Sequence, residues 1–383
     1  MSIVNVDLLA LATNPLYFST LSVTNISTPA ISLLSYDNSW SQSVLYTNAT
    51  ARLLVDLPYQ AFNEGGVYDA ATHALYVSSN YQSLQDPINM TIIHLNRDWS
   101  VNNITASQFP NLQEANGGTT FYPVGANISA PPPNQVWCDQ GDFIHYSGLV
   151  SVNPESNSSN VVLNNFLGPR NFSSVNDARQ HPITGDIWFT DAAYGYYQNF
   201  RPAPTIPQQV YRFEPATGVL QIVADGFVQP NGLEFSSDLK TLYVTDTGAT
   251  GPDLNLTRPA TIYAYNISPN HRTVSNRRTF AYVDSGLPDG IHADTSGNVW
   301  AGCGDGVHVW NQQGVLIGKV FLGETSNNFA FGPDLGNGQG SIVWIFSNNR
   351  LWEVRGLRVQ GREVCKDWYG LASCGIQGAS APK

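Results

Sequence analysis

The stretch Pro230-Asn231-Gly232-Leu233 runs through Ser236-Ser237-Asp238 into Leu242-Tyr243-Val244-Thr245-Asp246. It reads as a short strand led by an amide, a polar turn, and an apolar strand. The same order occurs upstream, from Val175-Asn176-Asp177-Ala178 through Pro182-Ile183-Thr184-Gly185-Asp186 into Ile187-Trp188-Phe189-Thr190-Asp191. It occurs again downstream, from Pro288-Asp289-Gly290-Ile291 through Asp294-Thr295-Ser296-Gly297-Asn298 into Val299-Trp300-Ala301-Gly302. The leading residues lie 231 − 176 = 55 and 289 − 231 = 58 positions apart. A strand-built period of that length predicts propeller blades. A radial fold brings equivalent positions to one axis, so the leading side-chain oxygens are expected to meet there.

Weaker copies lie on both sides. Asn63-Glu64-Gly65-Gly66-Val67-Tyr68 leads to Ala74-Leu75-Tyr76-Val77-Ser78-Ser79, and Asn116-Gly117-Gly118-Thr119-Thr120 leads to Gln135-Val136-Trp137-Cys138. A last unit starts near Asn327-Asn328-Phe329 and continues through Ser341-Ile342-Val343-Trp344-Ile345-Phe346. The expected fold is all-β: a six-bladed β-propeller with a central metal site, over residues 51–357. Residues 1–50 are expected to supply a strand that closes the ring, because closure removes exposed edges. Residues 358–383 read as a tail in which Cys365 and Cys374 could close a disulfide loop. Cys303 lies in an apolar strand and reads as a buried thiol, while Cys138 follows Trp137 with no evident partner.

Composition narrows the function. Aromatic residues make 11% of the 383 and charged residues only 12%, which suits a turn-rich β protein. The net charge is −11 and no basic run occurs, which argues against nucleic acid and anionic membranes as partners. No apolar stretch is long enough to cross a bilayer. N-glycosylation triplets start at Asn25, Asn48, Asn89, Asn103, Asn127, Asn157, Asn171, Asn255 and Asn266. They point to a secreted glycoprotein whose signal segment has been removed.

Glu64, Asn176, Asn231 and Asp289 supply two carboxylates and two amide oxygens. Such hard ligands suit Ca²⁺, with Mg²⁺ or another divalent ion as the alternative. Asn-Gly and Asp-Gly pairs are also ordinary turn formers. Recurrence at one phase of successive repeats favours a shared site. His292, three residues after Asp289, is a candidate acid or base, or else a core histidine on its strand. Tyr194, in Tyr194-Gly195-Tyr196-Tyr197, is expected to wall the pocket.

The Glu64-Gly65, Asn176-Asp177, Pro230-Asn231-Gly232-Leu233 and Pro288-Asp289-Gly290 phrases resemble those of the gluconolactonase / senescence marker protein (regucalcin-like) family. Phe189-Thr190-Asp191, Val244-Thr245-Asp246-Thr247-Gly248 and the run from Ala301 to Asn311 are similar to its fungal lactonohydrolases. The resemblance covers about residues 55–355. It implies a six-bladed propeller with a divalent ion, usually calcium, held by Glu64, Asn176, Asn231 and Asp289. In the animal branch an arginine two residues before the equivalent of Asn176 helps bind a sugar lactone. Ser174 stands there in this chain, which counts against a sugar lactone. The Asn134–Phe143 region also departs from the fungal branch.

The expected activity is opening of a small lactone by metal-activated water. Asp289 and His292 are the catalytic candidates, with Asn116, Tyr194 and Asp177 as substrate contacts. A propeller enzyme of another class (esterase, lyase or isomerase, or strictosidine synthase-like condensation) is the alternative, as is a non-catalytic metabolite binder. The expected assembly is a monomer or a small homo-oligomer.

Overall fold

The computed structural model describes residues 3–21, 23 and 31–364. Six sheets, each built on four antiparallel strands, stand around one axis. The first blade comprises Glu64–Asp69, Ala74–Ser78, Met90–Leu95 and Val101–Ser107, and the second Ala115–Phe121, Asn134–Asp139, Gly148–Asn153 and Ser158–Leu163. The third comprises Ser174–Gln180, Ile187–Ala192, Gln209–Glu214 and Val219–Ala224, and the fourth Pro230–Phe235, Thr241–Asp246, Thr261–Ile267 and Val274–Tyr282. The fifth comprises Ile291–Ala293, Val299–Cys303, Gly306–Trp310 and Leu316–Phe321. The sixth has Asn328–Asp334, Ser341–Ser347 and Arg350–Leu357 from its own stretch of chain. Its fourth strand is Leu45–Asp56, antiparallel to Arg350–Leu357, so the chain's two ends close the ring within one sheet.

The N-terminal segment covers a second edge. Ser32–Ser35 pairs with Leu316–Phe321, the outer strand of the fifth blade, and Ile3–Asn5 runs parallel to it. Ser43-Val44-Leu45-Tyr46 reads as a strand in sequence. The structure divides it, with Trp40–Val44 helical and the strand beginning at Leu45. Trp40 is fully buried and packs 5.5 Å from Trp300. Cys365 and Cys374 lie outside the described residues.

An aromatic residue sits at one place in the second strand of five blades: Tyr76, Trp188, Tyr243, Trp300 and Trp344, all buried. These rings fill the wedges between neighbouring sheets, where a propeller widens outward and needs volume. The three tryptophans are each 0% exposed, so each can contribute a few kcal/mol of apolar burial. Among the described residues no helix is long and apolar enough to cross a membrane.

The segment after the last blade does more than trail away. Thr295 donates its N–H to Gln360 O at 2.8 Å, and Asp294 and Gly361 form an isolated bridge. Arg362–Val364 forms one helical turn with Arg362 buried. Arg362 Nη2 lies 2.7 Å from Glu234 Oε1 on the fourth inner strand. The sequence of this segment carries no periodicity, and its role comes from charge complementarity.

Candidate functional site

The inner strands carry a repeated irregularity. In the second blade Ala115 pairs with Asp139 and Gly118 with Trp137, which leaves Asn116 and Gly117 opposite Cys138 alone. In the third blade Asn176 and Asp177 oppose Thr190, and in the fourth Asn231 and Gly232 oppose Thr245. Each is a β-bulge, and a bulge re-aims a side chain. The bulges hold the leading amides of the repeat, and Asn116 and Asn176 line one cavity.

A hydroxyl on the second strand of the first, third and fourth blades ties each of them to the next. Ser78 Oγ donates to Asn116 O at 3.2 Å, Thr190 Oγ1 to Asn231 O at 2.6 Å, and Thr245 Oγ1 to Asp289 O at 2.9 Å. Cys138 occupies this place in the second blade as a buried thiol, with burial raising its pKa. The aspartate that follows holds its own blade. Asp191 accepts from the N–H groups of Ser173 and Ser174, and Asp246 from those of Val228 and Gln229. Asp139 accepts from Gln113 and Glu114 in the same way. The Thr-Asp phrase is thus the fastening of the inner strands.

Asn231-Gly232 and Asp289-Gly290 are not turns. A Cβ on Gly232 would lie 2.6 Å from Asp289 O, and one on Gly290 would lie 2.1 Å from the Asn328 amide carbon. Glycine is needed because the next blade's backbone or amide crosses that spot near the axis.

Glu64, Asn116, Asn176, Tyr194 and Asp289 line a cavity of ≈ 210 Å³, together with Asn63, Asn80, Tyr81, Ile88, Gln140, Gln198 and Asn327. Asn231 borders it through Tyr194, since Asn231 Nδ2 donates to the phenol oxygen at 2.8 Å. Tyr194 in turn shares a short hydrogen bond with Thr247 Oγ1. The phenol is therefore occupied on both sides. It holds the Asn231 amide in place, and Tyr194 lines the cavity, as the sequence led us to expect. Burial pushes the phenol well up, so it remains neutral.

Glu64 and Asp289 are close enough for their carboxyl charges to act on each other. Burial, followed by the charge of Asp289, raises the Glu64 carboxyl well above its usual range. Burial pushes Asp289 up to about 7. The buried oxygens Asn176 Oδ1, Asn231 Oδ1 and Asp289 Oδ1 accept no hydrogen bond. Buried acceptors without donors are costly and rare in native proteins. Three of them beside two repelling carboxyls are what a bound cation would satisfy, so this donor set fits a hard divalent ion.

Two other acidic clusters have cations of their own. Glu234, His292 and Glu363 lie within metal-ligand reach of one another, but Arg179 Nε stands 2.5 Å from Glu363 Oε1 and Arg362 is paired with Glu234. Asp284, Asp305 and His308 surround Lys319, whose Nζ is 2.8 Å from Asp284 and 3.1 Å from Asp305.

Two sequence expectations need correction. His292 does not join Asp289 at the cavity. It lines a separate, smaller space with Arg362 and Glu363, from within the strand Ile291–Ala293 that begins two residues after Asp289. Burial and the nearby Arg179 charge push it down to about 3, so it is neutral at physiological pH. Asp177 does not line the cavity either. Its Oδ1 lies 2.9 Å from Arg179 Nη1, which commits it to an ion pair beneath the site. The sequence offered Asn327 or Asn328 as the leading residue of the last unit without assigning either a role. Asn327 reaches the cavity wall, where it bonds Asn63, and Asn328 enters the axis to bond Glu64.

The chain is similar to known proteins over most of its length. The SMP-30/Gluconolactonase/LRE-like region matches residues 62–337. Lactonohydrolase oryL of Aspergillus oryzae is 32% identical over 294 residues, which cover 70% of this chain and 63% of that protein. A gluconolactonase of Zymomonas mobilis is 27% identical over 249 residues, covering 61% of this chain and 64% of that protein. The chain thus spans a little under two thirds of the length of these relatives. Among solved structures, a gluconolactonase from Xanthomonas campestris superposes with a TM-score of 0.64 at 23% identity, covering 82% of this chain and 92% of the other. A calcium-binding regucalcin from Agrobacterium tumefaciens gives 0.56 at 16% identity, covering 82% and 95%.

Proposed function

Because the chain belongs to the SMP-30/gluconolactonase/LRE-like family, we propose that it opens a small lactone in a cavity whose cation, calcium foremost, is held by Glu64, Asn176, Asn231 and Asp289. The observation that carries this reading is the set of buried, donorless oxygens on Asn176, Asn231 and Asp289 facing the Glu64–Asp289 pair. When bound, such an ion polarises a carbonyl and lowers the pKa of water.

The chain's own residues would bind the ring and move one proton. Amides of Asn116, Gln140 and Gln198 offer donors and acceptors along the wall, and among the described residues no lysine or arginine lines the cavity. Ser174 Oγ donates to Gln140 Oε1 at 2.9 Å, so the place of the animal-branch arginine is spent on holding that amide. This wall favours an uncharged lactone over one bearing a carboxylate or phosphate. Water oxygen adds to the lactone carbonyl carbon, and the Asp289 carboxylate, which lines the cavity, takes its proton. The ring C–O bond then breaks, and the same carboxyl returns the proton to the departing alkoxide, giving the hydroxy acid.

The test is turnover of a lactone panel, with aryl esters alongside, after exhaustive chelation and after calcium is restored. Lactone opening should disappear and return. Full turnover in chelator would refute the cation's role, and a preference for aryl esters would refute the substrate class.

The proposal extends to an extracellular glycoprotein. Asn48, Asn103, Asn157 and Asn266 are exposed, the first two of them on outer blade strands, where attached sugars would reach solvent. Loss of mass on enzymatic deglycosylation of the secreted protein is the expected result, and an unglycosylated intracellular protein would contradict it.

A further inference from the structure

Glu64 is gripped from the axis by a residue of the sixth blade. Asn328 Nδ2 donates to Glu64 Oε2 at 2.9 Å, across a sequence separation of 264. The other end of the amide is held in place. Asn328 Oδ1 accepts from the Phe329 N–H at 2.8 Å and lies 3.2 Å from His292 Nε2. An amide oxygen only accepts, so the contact with a neutral imidazole requires the proton on Nε2. Two donors on Oδ1 leave Nδ2 no choice but to face Glu64. Asn328 is 1% exposed, and it reaches the axis only because position 290 is glycine.

We propose that Asn328 is the positioning residue for Glu64, fixing one carboxylate oxygen so that the other alone is offered to the cation. The inference rests on the cation-site reading above. A carboxylate free to turn would have to be ordered on each binding event, and it could ligate through both oxygens or neither. A donor fixed on Oε2 removes that freedom in advance, as partners behind a ligand do in metal sites generally. His292, expected from its position to be an acid or base, acts one step further back by setting which way the Asn328 amide points.

The experiment is calorimetric calcium titration of chelator-stripped wild-type protein, N328A, N328D and E64Q, with melting curves recorded in chelator. Ionised Asp has the shape of Asn and lacks the donor, so N328D covers the case in which N328A does not fold. The expected result is a 10–100-fold weaker calcium affinity in N328A and N328D. Lactone turnover in both should return toward wild type at saturating calcium, a split that a general packing defect would not produce. Tighter binding by N328D would mean that charge at this position matters and orientation does not, which overturns the proposal. Wild-type affinity in N328A and N328D with loss in E64Q would overturn it while leaving the cation site standing. Wild-type affinity in E64Q would remove the cation site and the proposal together.

Discussion

The Thr245 hydroxyl donates to the backbone carbonyl of Asp289 in the following blade at 2.9 Å. The same hydroxyl lies 3.3 Å from Gly232 O, beside the leading amide of its own blade. One side chain therefore sets the spacing between two proposed ligands. Replacing it with valine keeps the β-branched shape and deletes the donor, leaving a buried carbonyl unpaired at a cost of about 1–3 kcal/mol. Chemical denaturation of T245V should show a loss in that range, and calcium affinity should fall with it. An unchanged midpoint and affinity would mean that the blades hold their register without this bond.

Tyr194 offers a second separation of roles. Its phenol accepts from Asn231 Nδ2, and Tyr194→Phe removes that acceptor while keeping the ring. Calcium affinity should weaken by about tenfold with the KM for lactone nearly unchanged at saturating calcium. A raised KM at unchanged calcium affinity would instead make Tyr194 a direct substrate contact.

The stripped protein should grow less stable as pH rises from about 4 to about 7. Asp289 is raised to about 7 by burial, so the folded state binds its proton more tightly than the unfolded chain does. The stability this contributes is complete below the unfolded value near 4 and is lost as pH rises through about 7. Melting temperatures in chelator should decline across that window, and excess calcium should reverse the decline at neutral pH. A flat profile in chelator would mean that the Asp289 carboxyl titrates alike in the folded and unfolded chain.

Arg362→Ala should destabilise the whole ring. Arg362 Nη2 lies 2.7 Å from Glu234 Oε1, both fully enclosed, and removing one partner of such a pair costs about 3–5 kcal/mol. Arg179, 3.4 Å from Glu234, shares the charge and should hold the loss near the lower end. Melting of R362A within a degree of wild type would show that the segment after the last blade is not a structural plug.

The ring was legible in the sequence because three consecutive blades repeat their strands, turns and leading oxygens at nearly one spacing. Glu64 and Asn116 could be placed by phase alone. The Asn-Gly and Asp-Gly pairs read equally well as turns, since the crowding that demands glycine at 232 and 290 comes from a neighbouring blade. The fastening role of Thr190-Asp191 and Thr245-Asp246 was hidden for the same reason, its partners lying in other strands. His292 could not be told from a cavity residue without knowing which way its short strand turns. Asn328 and Arg362 act across separations of 264 and 128 residues, where no local pattern marks a partner.

In the proposed site, side-chain oxygens from four blades meet on one cation. A crystal structure of the protein grown in calcium tests it most directly. The expected map shows a single ion at about 2.3–2.6 Å from oxygens of Glu64, Asn176, Asn231 and Asp289. Calcium seated elsewhere, or only water among those four side chains at saturating calcium, would contradict the account.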